Sequence, residues 1–295
     1  MVIATGFFDG VHIGHRFVIE RLVNTARERG DQSMVVTFWP HPRNVLQDDA
    51  RNLRLLTSLE EKKALLRGLG VDHVEVLPFT KEFSRLTTRE YFRDVLITRF
   101  GAKAILIGYD NRMGCDPQTP ESIEKVAQDE GLDVIRLGSV ASPAGVTVSS
   151  TKIRDAVAAG QMEAAAAMLG YEYSLLGVVV AGNRLGRTIG FPTANITIPP
   201  HKALPAFGVY ACYLETSGGI FPAVVNVGRH PTLPEGHVTV EAHVLDEFLS
   251  LYGRNVRLTF LKFMRPEQKF DSIETLRAQI AHDADDCRAY FAQLQ

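Results

Sequence analysis

The ten residues G-F-F-D-G-V-H-I-G-H, Gly6 to His15, place two histidines three apart where an apolar strand, Val2-Ile3-Ala4-Thr5, should turn into a helix. Gly6 and Gly10 let the backbone approach a ligand closely, and a helix opening near Ile13-Gly14 offers unpaired N–H groups and the positive end of a dipole. His12 and His15 can share one face of that helix. Such a site can hold a triphosphate and stabilise charge that builds on an α-phosphate as pyrophosphate is displaced. One histidine near a helix start is more often a cap or a packing residue. Two of them with Asp9 and the glycines on one junction point to nucleotidyl transfer, while the acceptor stays open.

The chain has 295 residues, about twice a typical domain, and its 45% apolar content is ample for two cores. Its 32 basic and 34 acidic residues give a net charge of −2 without a dense basic block. That balance argues against nucleic acid and for a small-molecule partner. Cys115, Cys212 and Cys287 lie far apart with no C-x-x-C spacing, so neither zinc nor a disulfide framework is indicated, and a reducing cytoplasm is the expected home. The apolar opening lacks a basic leader and meets Asp9 too soon for a signal peptide, and no run approaches 18 apolar residues, so no membrane span is expected.

From residue 1 to about 135, short β-branched runs alternate with amphipathic segments: Val35 to Phe38 after a helix over 16–29, His73 to Leu77 after 58–69, and Ala104 to Ile107 after 88–100. This is the βαβ pattern of a doubly wound parallel sheet, whose ligands bind beyond the carboxyl ends of the strands. Three loops follow such strands: 6–15, Trp39 to Arg43, and Gly108 to Asn111. They are expected to converge on one cleft. A fourth element, S-S-T-K-I-R from Ser149 to Arg154, opens a further helix and suits both an N-cap and binding of a nucleotide's β- and γ-phosphates.

After Tyr171 the pattern becomes strands separated by turns: 175–180, 208–213, 223–226, 238–243 and 256–261, with no helix expected before a terminal one over 272–293. Five or six strands of this kind suggest a small antiparallel barrel. The expected domains are 1–172, a Rossmann-like α/β unit, and 173–295, the barrel. The barrel's densest segment runs from Gly182 to Asn195. Its Gly182, Gly186 and Gly190 can form a backbone cradle for phosphates, Arg187 can supply charge, and Thr193 and Asn195 offer oxygen ligands for Mg²⁺ held with ATP. A glycine-rich hairpin with a turn at Pro192 is the plainer alternative.

G-F-F-D-G-V-H-I-G-H, W-P-H-P-R, G-Y-D-N-R-M-G, S-S-T-K-I-R, G-R-T-I-G-F-P-T-A-N, G-V-Y-A, V-E-A-H-V-L-D and L-Y-G stand in this order along essentially the entire chain. In this the sequence resembles the bifunctional riboflavin kinase/FMN adenylyltransferases, the prokaryotic FAD synthetases. P-T-A-N in its glycine-rich frame is specific to the kinase barrel, whereas H-x-G-H with S-S-T-x-I-R is shared more widely among nucleotidyltransferases. The resemblance implies phosphorylation of riboflavin to FMN in the barrel, then adenylyl transfer from ATP to FMN in the first domain, with Mg²⁺ in both steps and riboflavin, FMN and FAD as substrates and products.

By the same resemblance Glu241 is the general base on the ribityl 5′-hydroxyl, Thr193 and Asn195 hold Mg–ATP, and Gly182, Gly186, Arg187, Gly190 and Pro192 frame the kinase nucleotide. Tyr252, Arg265 and Arg288 are expected near the kinase flavin. In the adenylyltransferase, His12 and His15 act on the α-phosphate, and Gly6, Phe7, Asp9, Ser150, Thr151 and Arg154 hold ATP. His41, Arg43, Asp110 and Asn111 face the substrate cleft.

The chain departs from the family pattern in four places. Five residues precede Gly6, where a longer leader is usual. Cys115-Asp116-Pro117-Gln118-Thr119-Pro120 replaces a basic, glycine-containing stretch, an expected loss of about 1.5–3 kcal/mol for each charge-assisted contact removed from the cleft. The flap usually written R-P-T-F reads His230-Pro231-Thr232-Leu233, and Glu247 to Gly253 departs from the usual run before L-Y-G. The alternatives are a kinase whose first domain transfers adenylyl groups weakly, and a flavin or nucleotide sensor without turnover.

Overall fold

The computed structural model describes residues 1–46, 53–108, 113–117, 119–137, 148–182, 185–229 and 238–294. The chain forms two compact units, Met1–Ser150 and Thr151–Gln295. The division at 172/173 read from the sequence follows the change in periodicity, whereas the compact units follow packing. Helices α6 (Ser150–Ala158) and α7 (Met162–Leu169) illustrate the difference, since the Val157 carbonyl accepts from the Ala206 amide and α7 lies against strand β11 (Asn255–Pro266).

In the first unit five parallel strands, β1 (Val2–Thr5), β2 (Ser33–Trp39), β3 (His73–Pro78), β4 (Ala104–Ile107) and β5 (Asp133–Arg136), order as β3-β2-β1-β4-β5. All pairings are parallel, with Val2 facing Ser33 on one side and Ala104 on the other. β1 is buried on both faces, which is why it reads as an unbroken apolar run: Val2 and Ala4 enter one core with Ile19, Leu22 and Leu66, and Ile3 enters the other with Phe92, Leu96 and Ile105. The chain builds outward from β1 in one direction through β2 and β3, then returns to its other side with β4. The crevice beyond the carboxyl ends of β1 and β4 is therefore the topological switch point, where such sheets bind ligands.

The helices cover both faces. α1 (Ile13–Glu28) buries Ile19, Leu22 and Ala26, and α3 (Leu59–Gly68) starts at a capping box in which Ser58 and Glu61 exchange side-chain and backbone hydrogen bonds. Between β2 and α3 stands the short α2 (Pro42–Leu46), and α5 (Pro120–Asp129) leads into β5. The helix expected over 88–100 is not uniform: one turn, α4 (Thr88–Glu90), passes into a π-helical segment, Tyr91–Arg99. Closure at i+5 brings Tyr91 and Leu96 over one another, so that both are buried together with Phe92.

The second unit is a closed barrel of six antiparallel strands. The strands are β6 (Ser174–Val180), β7 (Ala194–Thr197), β8 (Gly208–Thr216), β9 (Gly219–Arg229), β10 (Val238–Val244) and β11, ordered β10-β7-β6-β11-β8-β9. β7 grows out of the glycine-rich segment, and a single helical turn, α8 (Leu185–Thr188), precedes it where the sequence suggests no helix. This turn is closed by the Phe191 amide donating to the Gly186 carbonyl at 2.7 Å. α9 (Ile273–Ala292), capped by Ser272, lays Ala284, Cys287 and Phe291 on Ala211 and Leu245 of the barrel wall. Burial pushes the Cys287 thiol up to about 12, and it raises the Cys212 thiol well above its usual range, so both serve as inert core residues. Among the described residues no helix is long and apolar enough to cross a membrane.

Arg265 on β11 ties α9 down through a bidentate pair with Asp283, at 2.7 and 2.6 Å, and Gln279 donates to the same carboxylate at 2.9 Å. With the Asp283 side chain 6% exposed, Arg265→Met leaves a buried carboxylate without its cation and destabilises the second unit by about 3 kcal/mol, measured by urea unfolding.

Candidate active sites

At the end of β1 the chain makes a tight turn before α1. His12 is its pivot: buried, in extended conformation, it caps α1 with Nδ1 accepting from the His15 amide at 3.4 Å. An Nδ1 that accepts leaves its proton on Nε2. The His15 ring stacks on that of His12 with centroids 3.6 Å apart and 16° between planes. Gly14 leaves room for this, since a Cβ there would stand 3.3 Å from the His12 ring. Burial, then repulsion from His12 and Lys62, holds His15 well below the usual imidazole value of 6.5. Its Nδ1 is buried with no hydrogen-bond partner among the described residues, a cost of about 1–3 kcal/mol that a ligand donor or acceptor would remove.

The turn is strained and held. Phe8 and Val11 adopt positive φ, 51° and 37°, at a cost of order 1–3 kcal/mol each that its surroundings must offset. The Asp9 carboxylate, 3% exposed, accepts from the Leu56 amide at 3.0 Å, the Thr57 amide at 3.2 Å and the Thr57 hydroxyl at 3.3 Å, while the Gly10 amide donates to Thr57 Oγ1. Thus Asp9, expected among the ATP contacts, lashes the turn to the segment ahead of α3. From α3 itself, Lys62 Nζ donates to the Phe7 carbonyl and to Thr37 Oγ1, each at 3.0 Å, and lies 4.2 Å from the Phe7 ring centre. Nothing in L-E-E-K-K-A-L-L distinguishes Lys62 from a solvated helix face, and sequence reasoning passed over it.

The loop after β2 meets the loop after β1: the His41 and Phe7 ring centroids are 3.8 Å apart, and His41 Nδ1 accepts from the amide of exposed Arg43. Gly6 sits below the Phe8 ring, which a Cβ would touch at 3.0 Å. Ser150 Oγ donates to the Asp9 carbonyl at 2.9 Å. In the second unit, Arg154 lies 3.4 Å from the hydroxyl of exposed Thr151. Asp110 and Asn111 lie outside the described residues. Of the segment that departs from the family after Gly114, Asp116 Oδ1 accepts from the Thr88 amide and hydroxyl at 2.8 and 2.9 Å, so this acidic residue is tied to the first turn of α4, whose cap is Thr87.

In the barrel, Glu241 of β10 pairs in register with Asn195 of β7, and the Thr193 hydroxyl points at Glu241 Oε2 from 3.4 Å. A carboxylate, a carboxamide and a hydroxyl thus meet at one edge. The glycines make this possible: a Cβ at Gly182 would stand 2.1 Å from the Asn195 amide, and one at Gly186 2.3 Å from the Phe191 carbonyl and 3.2 Å from Thr193 Oγ1. Gly190 has φ +89°, a conformation that favours glycine. His243, two residues beyond Glu241 on the same face of β10, holds the Pro192 carbonyl at 2.9 Å through Nδ1. Sequence reasoning missed His243, although its period-two spacing from Glu241 is a usable signal.

The Arg187 side chain and His230 to Leu233 lie outside the described residues. Tyr252 is 55% exposed. Arg265 is committed to Asp283, and Arg288 to Asp246 at 2.9 Å and Asp285 at 2.8 Å, so either arginine would have to serve a flavin from within an ion pair.

A nucleotide-type α/β unit joined in one chain to a barrel with an oxygen-rich, glycine-framed site defines a two-site transferase. Residues 1–152 match the family model for FAD synthetase, and residues 169–291 match that for riboflavin kinase. The bifunctional riboflavin kinase/FMN adenylyltransferase of Listeria monocytogenes is 35% identical over 295 residues, covering 100% of this chain and 93% of the relative. That of Escherichia coli K12 is 36% identical over 292 residues, covering 98% and 92%. A crystal structure described as a macrolide-efflux protein from Streptococcus pneumoniae superposes with a TM-score of 0.87 at 30% identity, covering 97% of this chain and 93% of that one. The chain belongs to the bifunctional riboflavin kinase/FMN adenylyltransferase family.

The depressed His15 pKa has a definite sign. Below about pH 6.5 the unfolded chain takes up a proton that folded His15 refuses, so stability falls as pH drops. Imidazole NMR should find His15 neutral at pH 6.5, and urea unfolding should show the wild type losing more stability than His15→Asn between pH 7.5 and 5.5.

Proposed function

We propose that this chain carries riboflavin to FMN in its barrel and FMN to FAD in its α/β unit, consuming ATP at each step. The observation that carries the reading is the Glu241, Asn195 and Thr193 constellation in one unit and the stacked His12 and His15 at the strand-to-helix turn of the other. Each has the donors its reaction needs, and neither serves an evident structural purpose that requires all its members.

In the barrel the ribityl 5′-hydroxyl attacks the γ-phosphorus of ATP, that bond forms as the bond to ADP breaks, Glu241 accepts the hydroxyl proton, and FMN and ADP leave. The donor set fits Mg²⁺, since the Thr193 hydroxyl and Asn195 carboxamide are hard oxygen ligands beside a carboxylate, packed close over glycines that have no Cβ to displace them. When bound, Mg²⁺ would neutralise charge on the transferring phosphate. Gly182, Gly186 and Gly190 let the backbone reach the ATP phosphates, Arg187 adds charge, and Pro192 is steadied by His243. Tyr252, Arg265 and Arg288 are assigned to the flavin side.

In the α/β unit a phosphate oxygen of FMN attacks the α-phosphorus of a second ATP, that bond forms as the bond to pyrophosphate breaks, and FAD leaves. His12, with its proton on Nε2, donates to the α-phosphate, and neutral His15 supplies a second hydrogen bond, both strengthening as charge builds. Ser150, Thr151 and Arg154 hold the outgoing phosphates at the α6 start, Gly6 and Phe7 border the nucleotide, and His41, Arg43, Asp110 and Asn111 face FMN.

The test is a chromatographic time course with riboflavin, ATP and Mg²⁺, and a second started from FMN. Riboflavin passing through FMN to FAD is expected. Glu241→Gln should slow the first step about 100-fold or more and spare the second, and His12→Ala should do the reverse. FMN that never becomes FAD would remove the adenylyl step, and no product at all would overturn the catalytic reading in favour of a sensor.

A further inference from the structure

Lys62 is 2% exposed, and its ammonium donates to the Phe7 carbonyl and to Thr37 Oγ1, at the ends of β1 and β2. Burying a cation is costly unless it is well partnered, and a methionine would fill the same channel without that cost. Lys62 reaches past the core to the Phe7 carbonyl, the residue before two positions held at positive φ and five before His12. Thr37 Oγ1 donates to the same carbonyl at 3.1 Å and accepts from Lys62, closing a triangle with the Phe7 ring over the ammonium. On the other side of the turn, Asp9 is fixed by Leu56 and Thr57, just ahead of α3. The strained turn is thus gripped at one shoulder by Lys62 of α3 and Thr37 of β2, and at the other by the segment just ahead of α3.

We propose that Lys62 is a positioning residue for adenylyl transfer, fixing the Phe7 carbonyl so that His12 and the first turn of α1 stand where the α-phosphate needs them. The inference rests on the adenylyl-transfer reading of this turn. Lys62 does not touch the reacting atoms. Its loss therefore lowers the population of correctly placed His12, which acts on the transition state more than on the binding of ATP. A partner that merely filled space would instead be replaced by Met with no change in kcat.

The experiment compares steady-state FMN-to-FAD kinetics of wild type, Lys62→Met, Lys62→Arg and Thr37→Val, with the riboflavin-to-FMN rate and a thermal melt on the same samples. Lys62→Met should lower kcat about 10-fold or more with KM for ATP within about threefold, and Lys62→Arg, which keeps the charge and donors, should recover most of the loss. Thr37→Val should lower kcat about threefold, since it removes one of the two donors to the same carbonyl. The first step should be unchanged throughout.

A Lys62→Met enzyme with wild-type kcat, a defect confined to KM, or a loss that Arg does not restore would each overturn the inference. Should Lys62→Met fail to fold, Thr37→Val decides, a lowered kcat supporting the role and an unchanged one overturning it. A wild type that makes no FAD from FMN would overturn the adenylyl-transfer reading itself and this inference with it. FAD made equally by wild type and Lys62→Met would overturn the inference alone.

Discussion

The buried Asp9 carboxylate, bound by the amides of Leu56 and Thr57, is the contact on which the first site depends. Charge-assisted hydrogen bonds to backbone amides are among the stronger ones available to a carboxylate, and here they join segments 47 residues apart in the chain. Without them the turn would be held only on its Phe7 side, and the positive φ of Phe8 and Val11 and the direction of the His12 cap of α1 would lose half their support. The strand end, the turn and α3 therefore behave as one body. The sheet supplies rigidity, and the turn stores strain that only this surrounding structure can hold in place.

Much of this architecture is legible in the sequence because the elements that make it obey simple periodicities. The unbroken apolar runs of β1 and β4 announce strands covered on both faces, and the alternating Val238 to Val244 announces a barrel strand. Where two requirements compete, the reading falters. Tyr91, Phe92 and Leu96 all face the core from a π-helical segment, where the sequence suggests ordinary helix, because an apolar pattern of this spacing suits either winding. β7 escapes notice because its residues serve first as site and only second as strand: Asn195 pairs with Glu241 in the ladder and presents its carboxamide to the same edge.

Site residues divide the same way. His12, His15, Glu241, Thr193 and Asn195 are visible because reactive side chains sit beside glycines in an order that has meaning. The residues that hold them are less visible, since a lysine in a charged helix or a histidine in a strand has many ordinary uses. Asp9 is the instructive case, for its place in the motif suggests contact with the nucleotide, while its carboxylate is turned inward and spent on the backbone. That use of the carboxylate cannot be read from spacing, because it depends on a segment that folds back from elsewhere in the chain.

The two sites solve one problem by opposite means. The barrel site obtains its close approach by deletion of side chains: where a Cβ would be, Gly182 is crowded by the Asn195 carboxamide and Gly186 by the Phe191 carbonyl, so the site is dense and nearly every substitution at these glycines is a collision. The adenylyltransferase turn obtains its geometry by restraint, with non-glycine residues forced into left-handed backbone and clamped by buried charge. A site made by deletion is insensitive to distant packing and intolerant of local change. One made by restraint is the reverse, since its geometry is held by Asp9 and Lys62 through Leu56, Thr57 and the Phe7 carbonyl. Departures from the family pattern are therefore best judged by which kind of site they support. Asp116, acidic where the family is basic, binds the first turn of α4 through Thr88, a local structural use of its charge.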